Sequence, residues 1–475
     1  MASPGATLSR RAGGAPVPKR ILPHLFLVFD SEQPLAPSVR FSLEGVDTVE
    51  LGRTDQFVAG RDGPGGRRLV IGLPDPWVST SHAVLRYISP SWVIEDTKSK
   101  NGTLINGRME KGTELTDGDL IELGHNFFLF REALATSTNE PALLTSGEIR
   151  SASPGMATLV PSLAAELRQL EAIAASKVSV LLQGESGTGK EVAATAIHRL
   201  SGRSGPFLPV NCGGLPETLI ESELFGSRKG AFSGADKDRP GLVRSAEHGT
   251  LLLDEIGELP ASAQAALLRV LQDGEILPIG ATQPIRVDVR FVAASNRALD
   301  VLVERGQFRA DLLARISGFS LWLPPLRERR EDMGILIAAL LNRQLGDRAA
   351  EISFSCDAAR ALLLYNWPLN VRELEKWLAA SVVLSDGHRI ELERLPGSAR
   401  GTQDLPLPSS PKAGADALWL PEQQESELRK REELLALLRE HAGNISAVAR
   451  ALGKARPQVQ RWMKRYRIDR GRTRR

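Results

Sequence analysis

The apolar and polar positions along this chain fall into three regimes. Between residues 22 and 131, short alternating or aromatic stretches are punctuated by Gly, Asn and Asp, the pattern of strands that bury one face. Its opening run, ILPHLFLVF at 21–29, predicts a first β-strand. Pro23 and His24 interrupt the run and no small-residue cleavage site follows, which argues against a signal peptide despite the basic residues before it. Farther on, the apolar runs VSVLL (178–182), TLLLDE (250–255) and VRFVAAS (289–295) alternate with helical segments, which predicts a parallel α/β sheet. After residue 425 only helical periodicity remains.

Composition supplies the boundaries. Residues 1–20 are rich in Gly, Pro, Ala and Arg and are expected to form a disordered tail, while 132–156 and 397–424 have linker composition. The expected architecture is therefore multidomain: an all-β domain over 21–131, an α/β domain over 157–396 and an all-α domain over 425–475. Three domains suit 475 residues at ~150 residues each. With 42% hydrophobic and 25% charged residues the chain reads as soluble and globular. No run approaches the ~20 apolar residues that span a bilayer, so no membrane partner is expected. The net charge of +3 is small, but Lys454–Arg475 holds ten Lys/Arg against one acid, Asp469, a local excess suited to nucleic acid. Cys212 and Cys356 are the two cysteines, far apart, which points to a reducing compartment, read as the cytoplasm.

VSVLLQGESGTGKE at 178–191 sets a Gly-rich loop after an apolar strand and before a helix, the context a phosphate-binding loop requires. Gly184, Gly187 and Gly189, with Glu185, Ser186 and Thr188 between them, let backbone N–H groups face phosphate oxygens, and Lys190 reaches the β- and γ-phosphates. ATP with Mg²⁺ is the expected ligand. Glu191 stands where the general pattern has a hydroxyl for the metal. TLLLDEIGELP at 250–260 provides for it: Asp254 is placed to hold Mg²⁺, and Glu255 to orient or deprotonate the attacking water.

These motifs, together with NCGGLPETLIESELFGSRKGAFSGA (211–235), FRADLLARISGFSLWLPPLRERRED (308–332) and WPLNVREL (367–374), resemble the AAA+ domain of bacterial enhancer-binding proteins, the ATPases that activate sigma-54 RNA polymerase. The family has Glu after the loop lysine, as at Glu191. The resemblance implies that Asn211 restrains the catalytic Glu255, that Ser295 and Asn296 form sensor I, and that Arg372 is the sensor II arginine. It also implies that Arg309 and Arg315 are arginine fingers reaching a neighbouring subunit's nucleotide in a ring, usually a hexamer. Gly230, Ala231, Phe232, Ser233, Gly234 and Ala235 correspond to the family's sigma-contacting GAFTGA loop. Two departures stand out, Ser233 for Thr and Leu369 for Gly.

Both flanking domains carry resemblances as well. ELGR (50–53), VSTSHAVL (78–85) and EDTKSKNGTLINGR (95–108) resemble the forkhead-associated (FHA) domain, a β-sandwich that binds phosphothreonine peptides. Arg53, Ser79 and Lys100 are expected to converge on the phosphate and Asn101 to hold the peptide backbone, with Thr80 standing where many relatives have Arg. His82 is read as architectural, and GRDGPGGRR as a flexible insertion beside the site. At the other end, residues 433–468 resemble a Fis-type helix-turn-helix, implying DNA contacts from Arg456, Gln458, Gln460, Arg461 and Lys464 at enhancer-like sites. The combined expectation is a cytoplasmic sigma-54-dependent activator that hydrolyses ATP as a ring and is regulated through a phosphothreonine-bearing protein. A AAA+ unfoldase and an adaptor with a decayed ATPase are the alternatives; GAFSGA opposes the first, and the intact Lys190, Asp254 and Glu255 the second.

Overall fold

A computed structural model describes residues 19–62, 64–137, 140–150, 155–231, 237–385 and 388–392. The helix-turn-helix expected over 425–475, with all five DNA-contact candidates, lies outside the described residues, as do residues 232–235 of the expected sigma-contact loop.

The N-terminal domain is a sandwich of two sheets. The first runs in the order Leu143–Thr145, Val39–Ser42, Lys19–Asp30, Asn126–Ser137, Leu120–Leu123, Thr103–Ile105, Arg108–Glu110. The second runs Gly112–Leu115, Ser91–Asp96, Ala83–Ile88, Thr48–Arg53, Arg68–Leu73, Val58–Asp62. Between them sit Leu25, Leu27, Phe41, Leu51, Ile71, Leu85, Phe128 and Phe130, inward members of alternating strands.

Three boundary expectations need correction. Lys19 and Arg20 do not belong to a tail but pair with Ser137 and Thr136. The segment read as a linker from 132 is built into the sandwich: its strand runs to Ser137 with Leu134 and Thr136 buried, and Leu143–Thr145 adds an edge strand. Ser/Thr-rich composition hid a period-2 alternation there. The stretch read as a flexible insertion forms a hairpin, Val58–Asp62 pairing antiparallel with Arg68–Leu73 at the edge of the second sheet.

The ATPase-like domain has a five-stranded parallel sheet in the order Phe207–Asn211, Thr250–Asp254, Arg290–Ser295, Val180–Gln183, Phe319–Trp322. Alternate residues feed opposite layers. Val180, Leu182, Leu252, Val292 and Ala294 pack with helices Pro161–Ala174 and Lys190–Leu200, whereas Leu181, Leu251, Leu253, Phe291 and Ala293 pack with helices Ala261–Asp273 and Ala310–Ile316. Burial on both faces explains why these strands read as continuous apolar runs.

Helices Met333–Leu345, Cys356–Leu364 and Asn370–Leu384 form a lid, and the sandwich packs against it. Phe26, Val28, Leu120, Phe127 and Leu129 share one core with Met333, Leu336, Ile337, Leu340 and Leu363. Glycine is required at 334, because a Cβ there would run into the Val28 carbonyl. Arg360 grips the buried Glu122 with two bonds of 2.8 Å, and Arg389 reaches Glu32 at 2.6 Å. The Phe354 amide donates to the Ser31 carbonyl at 2.7 Å. The described β and α/β domains thus form one compact unit.

Candidate functional site

The Gly-rich loop leaves the C-terminal end of Val180–Gln183 and enters the helix that starts at Lys190. Gly184, Gly187 and Gly189 have φ of 149°, 78° and 105°, so each peptide turn here uses backbone space that a side chain would strain. Gly187 is doubly constrained, since a Cβ would strike the Leu369 carbonyl. Lys190 is buried, its ammonium donating to the Gly184 and Glu185 carbonyls at 2.8 and 2.9 Å. Burial lowers the Lys190 pKa, and the nearby charges of Asp254 and Glu255 oppose that shift. Glu191 follows in the first turn of the helix with its side chain exposed.

Asp254 ends the strand Thr250–Asp254, one strand removed from Val180–Gln183 in the sheet, and its Oδ1 accepts the Glu255 amide at 2.9 Å. Glu255 itself adopts a left-handed backbone, φ 53°, an uncommon conformation for a side-chain-bearing residue and one that collects at functional sites. Asn211 lies beside Asp254 in register, as the parallel pairing requires. Its Oδ1 is occupied by the Gly213 and Gly214 amides at 2.8 and 3.1 Å, and no hydrogen bond joins it to Glu255 among the described residues. Glu255 Oε2 instead lies against Gly213.

Ser295 is buried, its hydroxyl donating to the Arg297 carbonyl while its own carbonyl accepts the Gly184 amide; Asn296 follows, half-buried. Arg372 extends from the first turn of the last lid helix, and its Nη1 donates to the Ser186 hydroxyl at 3.2 Å. Leu369 takes φ −105°, ordinary for any residue, so the departure from Gly leaves the turn before Arg372 intact. Lysine, two acids, amides and a helix N-terminus make a donor set that fits a magnesium nucleotide.

Arg327, Arg329 and Asn370 lie inside motifs that carry the resemblance but were given no role of their own. Glu185 is held by Arg327 through bonds of 2.9 and 2.6 Å and by Asn370 at 3.1 Å. The Arg327 bonds hold its carboxyl below the usual carboxylate range. Arg329 donates to the Thr188 carbonyl at 2.8 Å.

Arg309 and Arg315 contact no group of the phosphate loop. Arg309 makes two bonds to Asp311, Arg315 donates to the Leu271 carbonyl, and both side chains are exposed. At the base of the loop expected to contact sigma-54, where Gly230 has φ 83° and Ala231 follows, Ser227 and Arg239 bridge antiparallel and Arg228 pairs with Asp238 at 2.5 Å.

In the sandwich the five phosphopeptide candidates, Arg53, Ser79, Thr80, Lys100 and Asn101, gather at the end of the strand Thr48–Arg53 and on the loops beside it. The Arg53 amide donates to the Ser79 carbonyl at 2.9 Å, and the Lys100 amide to the Ser79 hydroxyl at 3.0 Å. Asn101 donates to the Trp77 carbonyl at 2.7 Å, and Arg53 Nη1 to that of Pro76 at 3.4 Å. Thr80 is exposed, with its carbonyl against Gly52. His82 is fully buried, accepting the Ser79 amide at Nδ1 with Nε2 against the Gly102 carbonyl, which matches an architectural role. Asp96, unmarked in the sequence, fixes the Lys100–Asn101 loop by accepting from Ser99 and Thr103.

Three family models match parts of the chain. The sigma-54 interaction domain matches residues 157–322, the AAA+ ATPase lid domain 327–409 and the FHA domain 57–124. The chain therefore carries all three modules. It is 43% identical over 302 residues to the regulatory protein AtoC of Escherichia coli, covering 62% of this chain and 64% of that one. It is 44% identical over 283 residues to the Nif-specific regulatory protein of Klebsiella pneumoniae, covering 59% and 53%. The matched region thus spans less than two thirds of these relatives' own length. Among solved structures, NtrX from Brucella abortus in complex with ATP is 27% identical over 67% of this chain and 71% of that one, at a TM-score of 0.46. No helix among the described residues is long and apolar enough to cross a membrane.

Proposed function

We propose that this protein is a cytoplasmic sigma-54-dependent transcription activator: a ring, hexameric by family resemblance, that hydrolyses ATP to remodel the closed promoter complex, bound to DNA through its C-terminal segment and regulated by phosphothreonine recognition in its FHA domain. The observation that carries the catalytic part is the convergence of Lys190, Asp254, Glu255 and Arg372 on one glycine-lined loop. Lys190 and the loop amides bind the phosphates, Asp254 holds Mg²⁺, and Glu255 accepts the proton of the attacking water. Magnesium supplies charge neutralisation on the transferred phosphoryl group. The resemblance assigns Ser295 and Asn296 to sensing the γ-phosphate, while Asn211 holds the turn against which Glu255 rests.

Arg309 and Arg315, exposed and remote in contact from their own phosphate loop, suit a role across a subunit boundary. Phosphothreonine is favoured because Arg53, Ser79, Lys100 and Asn101 share one end of the sandwich. Gly230–Ala235 is the surface assigned to sigma-54.

The test is ATP turnover at rising protein concentration, with mixtures of Arg309→Ala and Lys190→Ala chains. Turnover should rise more steeply than protein concentration, each variant alone should be inactive, and mixtures should recover part of the activity. Inactive mixtures in which mixed oligomers demonstrably form would refute the shared site.

A further inference from the structure

We propose that Arg131, a residue of the sandwich, is a positioning residue for the nucleotide site: paired with Glu331, it fixes the segment 326–332, and that segment holds the phosphate loop. This rests on the reading of the loop as an ATP site.

Along this short segment successive side chains serve different partners. Arg327 makes its two bonds to Glu185, Arg329 donates to Thr188, and the Leu326 amide donates to Asn370 at 2.7 Å. Asn370 in turn donates to Glu185 and to the Ser186 carbonyl. Arg330 reaches the Leu364 carbonyl of the lid, and Asp332 accepts from Thr158 and the Leu159 amide at 2.7 and 2.8 Å. Glu331, between them, points the other way. It is wholly buried, and its Oε1 lies 3.1 Å from Nε of Arg131 on the strand Asn126–Ser137.

A carboxylate buried this deeply is costly unless paired. Burial pushes the Glu331 carboxyl up, and the Arg131 charge opposes the shift. Deprived of Arg131, Glu331 must take up a proton or swing toward water. A swing toward water moves a turn two residues from Arg329 and four from Arg327, and protonation leaves that turn without its ionic tie to the sandwich. The phosphate loop then loses part of its clamp while Asp254 and Glu255, on a separate strand, keep their places. Nucleotide binding should weaken without a comparable loss in the chemical step.

The experiment uses the full chain and measures binding of a fluorescent ATP analogue, KM and kcat for ATP, and phosphopeptide binding as a control for the sandwich. Arg131→Leu should weaken nucleotide binding and raise KM by roughly two- to thirtyfold, with kcat within about twofold and phosphopeptide affinity unchanged. Arg131→Lys, which keeps the charge, should show a smaller change. The double variant Arg131→Leu/Glu331→Leu, which removes the orphaned carboxylate, should recover most of the affinity; a role confined to packing would not be rescued this way. A folded Arg131→Leu chain with wild-type KM overturns the proposal, as does a folded double variant without recovery. If Arg131→Leu fails to fold, Arg131→Lys and the double variant decide by the same criteria. A wild-type chain that binds no ATP overturns the underlying reading instead, and this inference with it.

Discussion

Asn370 and Glu185, on the lid and on the phosphate loop, are joined by a hydrogen bond of 3.1 Å from Nδ2 to Oε2. The same side chain accepts the Leu326 amide, and Asn370 is fully buried with a left-handed φ of 55°. Asparagine is one of the few residues that tolerate that backbone and also offer both a donor and an acceptor. Asn370→Ala should therefore lose about 1–3 kcal/mol from the unmade buried bonds, plus about 1–2 kcal/mol of backbone strain. Asn370→Gly should lose the bonds alone. Thermal unfolding of the three chains tests this order, wild type above Gly above Ala. A midpoint for Ala equal to that for Gly would remove the strain argument.

For the sandwich, Arg53→Ala should abolish measurable binding of phosphothreonine peptides, because a charge-assisted contact contributes roughly 1.5–3 kcal/mol. Fluorescence anisotropy with phosphorylated and unphosphorylated peptides reads this directly. Equal affinity for the two peptides in the wild-type chain would sink the assignment of Arg53, Ser79, Lys100 and Asn101.

His24 offers a pH test. Its ring is buried, and desolvation lowers its pKa from 6.5 to about 4. Between those values the unfolded chain binds a proton that the folded chain does not. The contribution of His24 is therefore complete above pH 6.5 and is lost as the pH falls toward 4. A gap of this size corresponds to about 3 kcal/mol. His24→Gln, which keeps a donor for the Leu22 carbonyl, should flatten the fall in melting temperature over that window. Parallel curves for both chains would show that other groups control the acid transition.

What the sequence revealed and what it concealed follow the range of each interaction. The phosphate loop, the Asp254–Glu255 strand end and the FHA loops were legible because each compresses its chemistry into a few consecutive residues with fixed turn requirements. Arg327 and Asn370 lie 142 and 185 residues from Glu185, and Arg360 lies 238 from Glu122. No local period announces such partners. The hairpin Val58–Asp62/Arg68–Leu73 was misread for a related reason, since its glycines suggested mobility while its pairing depends on the neighbouring sheet edge. Asn211 sits where expected, but its carbonyl serves its own turn, a choice set by two following glycine amides.

The GAFSGA loop, proposed to contact sigma-54, gives the last prediction. Phe232 lies outside the described residues, but the base of its loop is tied down independently of the ATP site. Ser227 and Arg239 bridge there, the Lys229 amide donates to Asp238, and the Arg228 amide donates to the Ile279 carbonyl. None of these groups bonds to Lys190, Asp254 or Glu255. Phe232→Ala should accordingly leave ATP turnover and DNA binding close to wild type while transcription from a sigma-54 promoter collapses, since truncating an aromatic anchor at a contact commonly costs at least ~2 kcal/mol. Ser233→Thr, which restores a methyl beside that anchor, should be tolerated and should couple hydrolysis to transcription at least as well. Transcription assays run beside turnover assays on the same preparations separate the two effects. Normal activation by Phe232→Ala, or loss of its ATPase activity through unfolding, would withdraw the contact role from this loop.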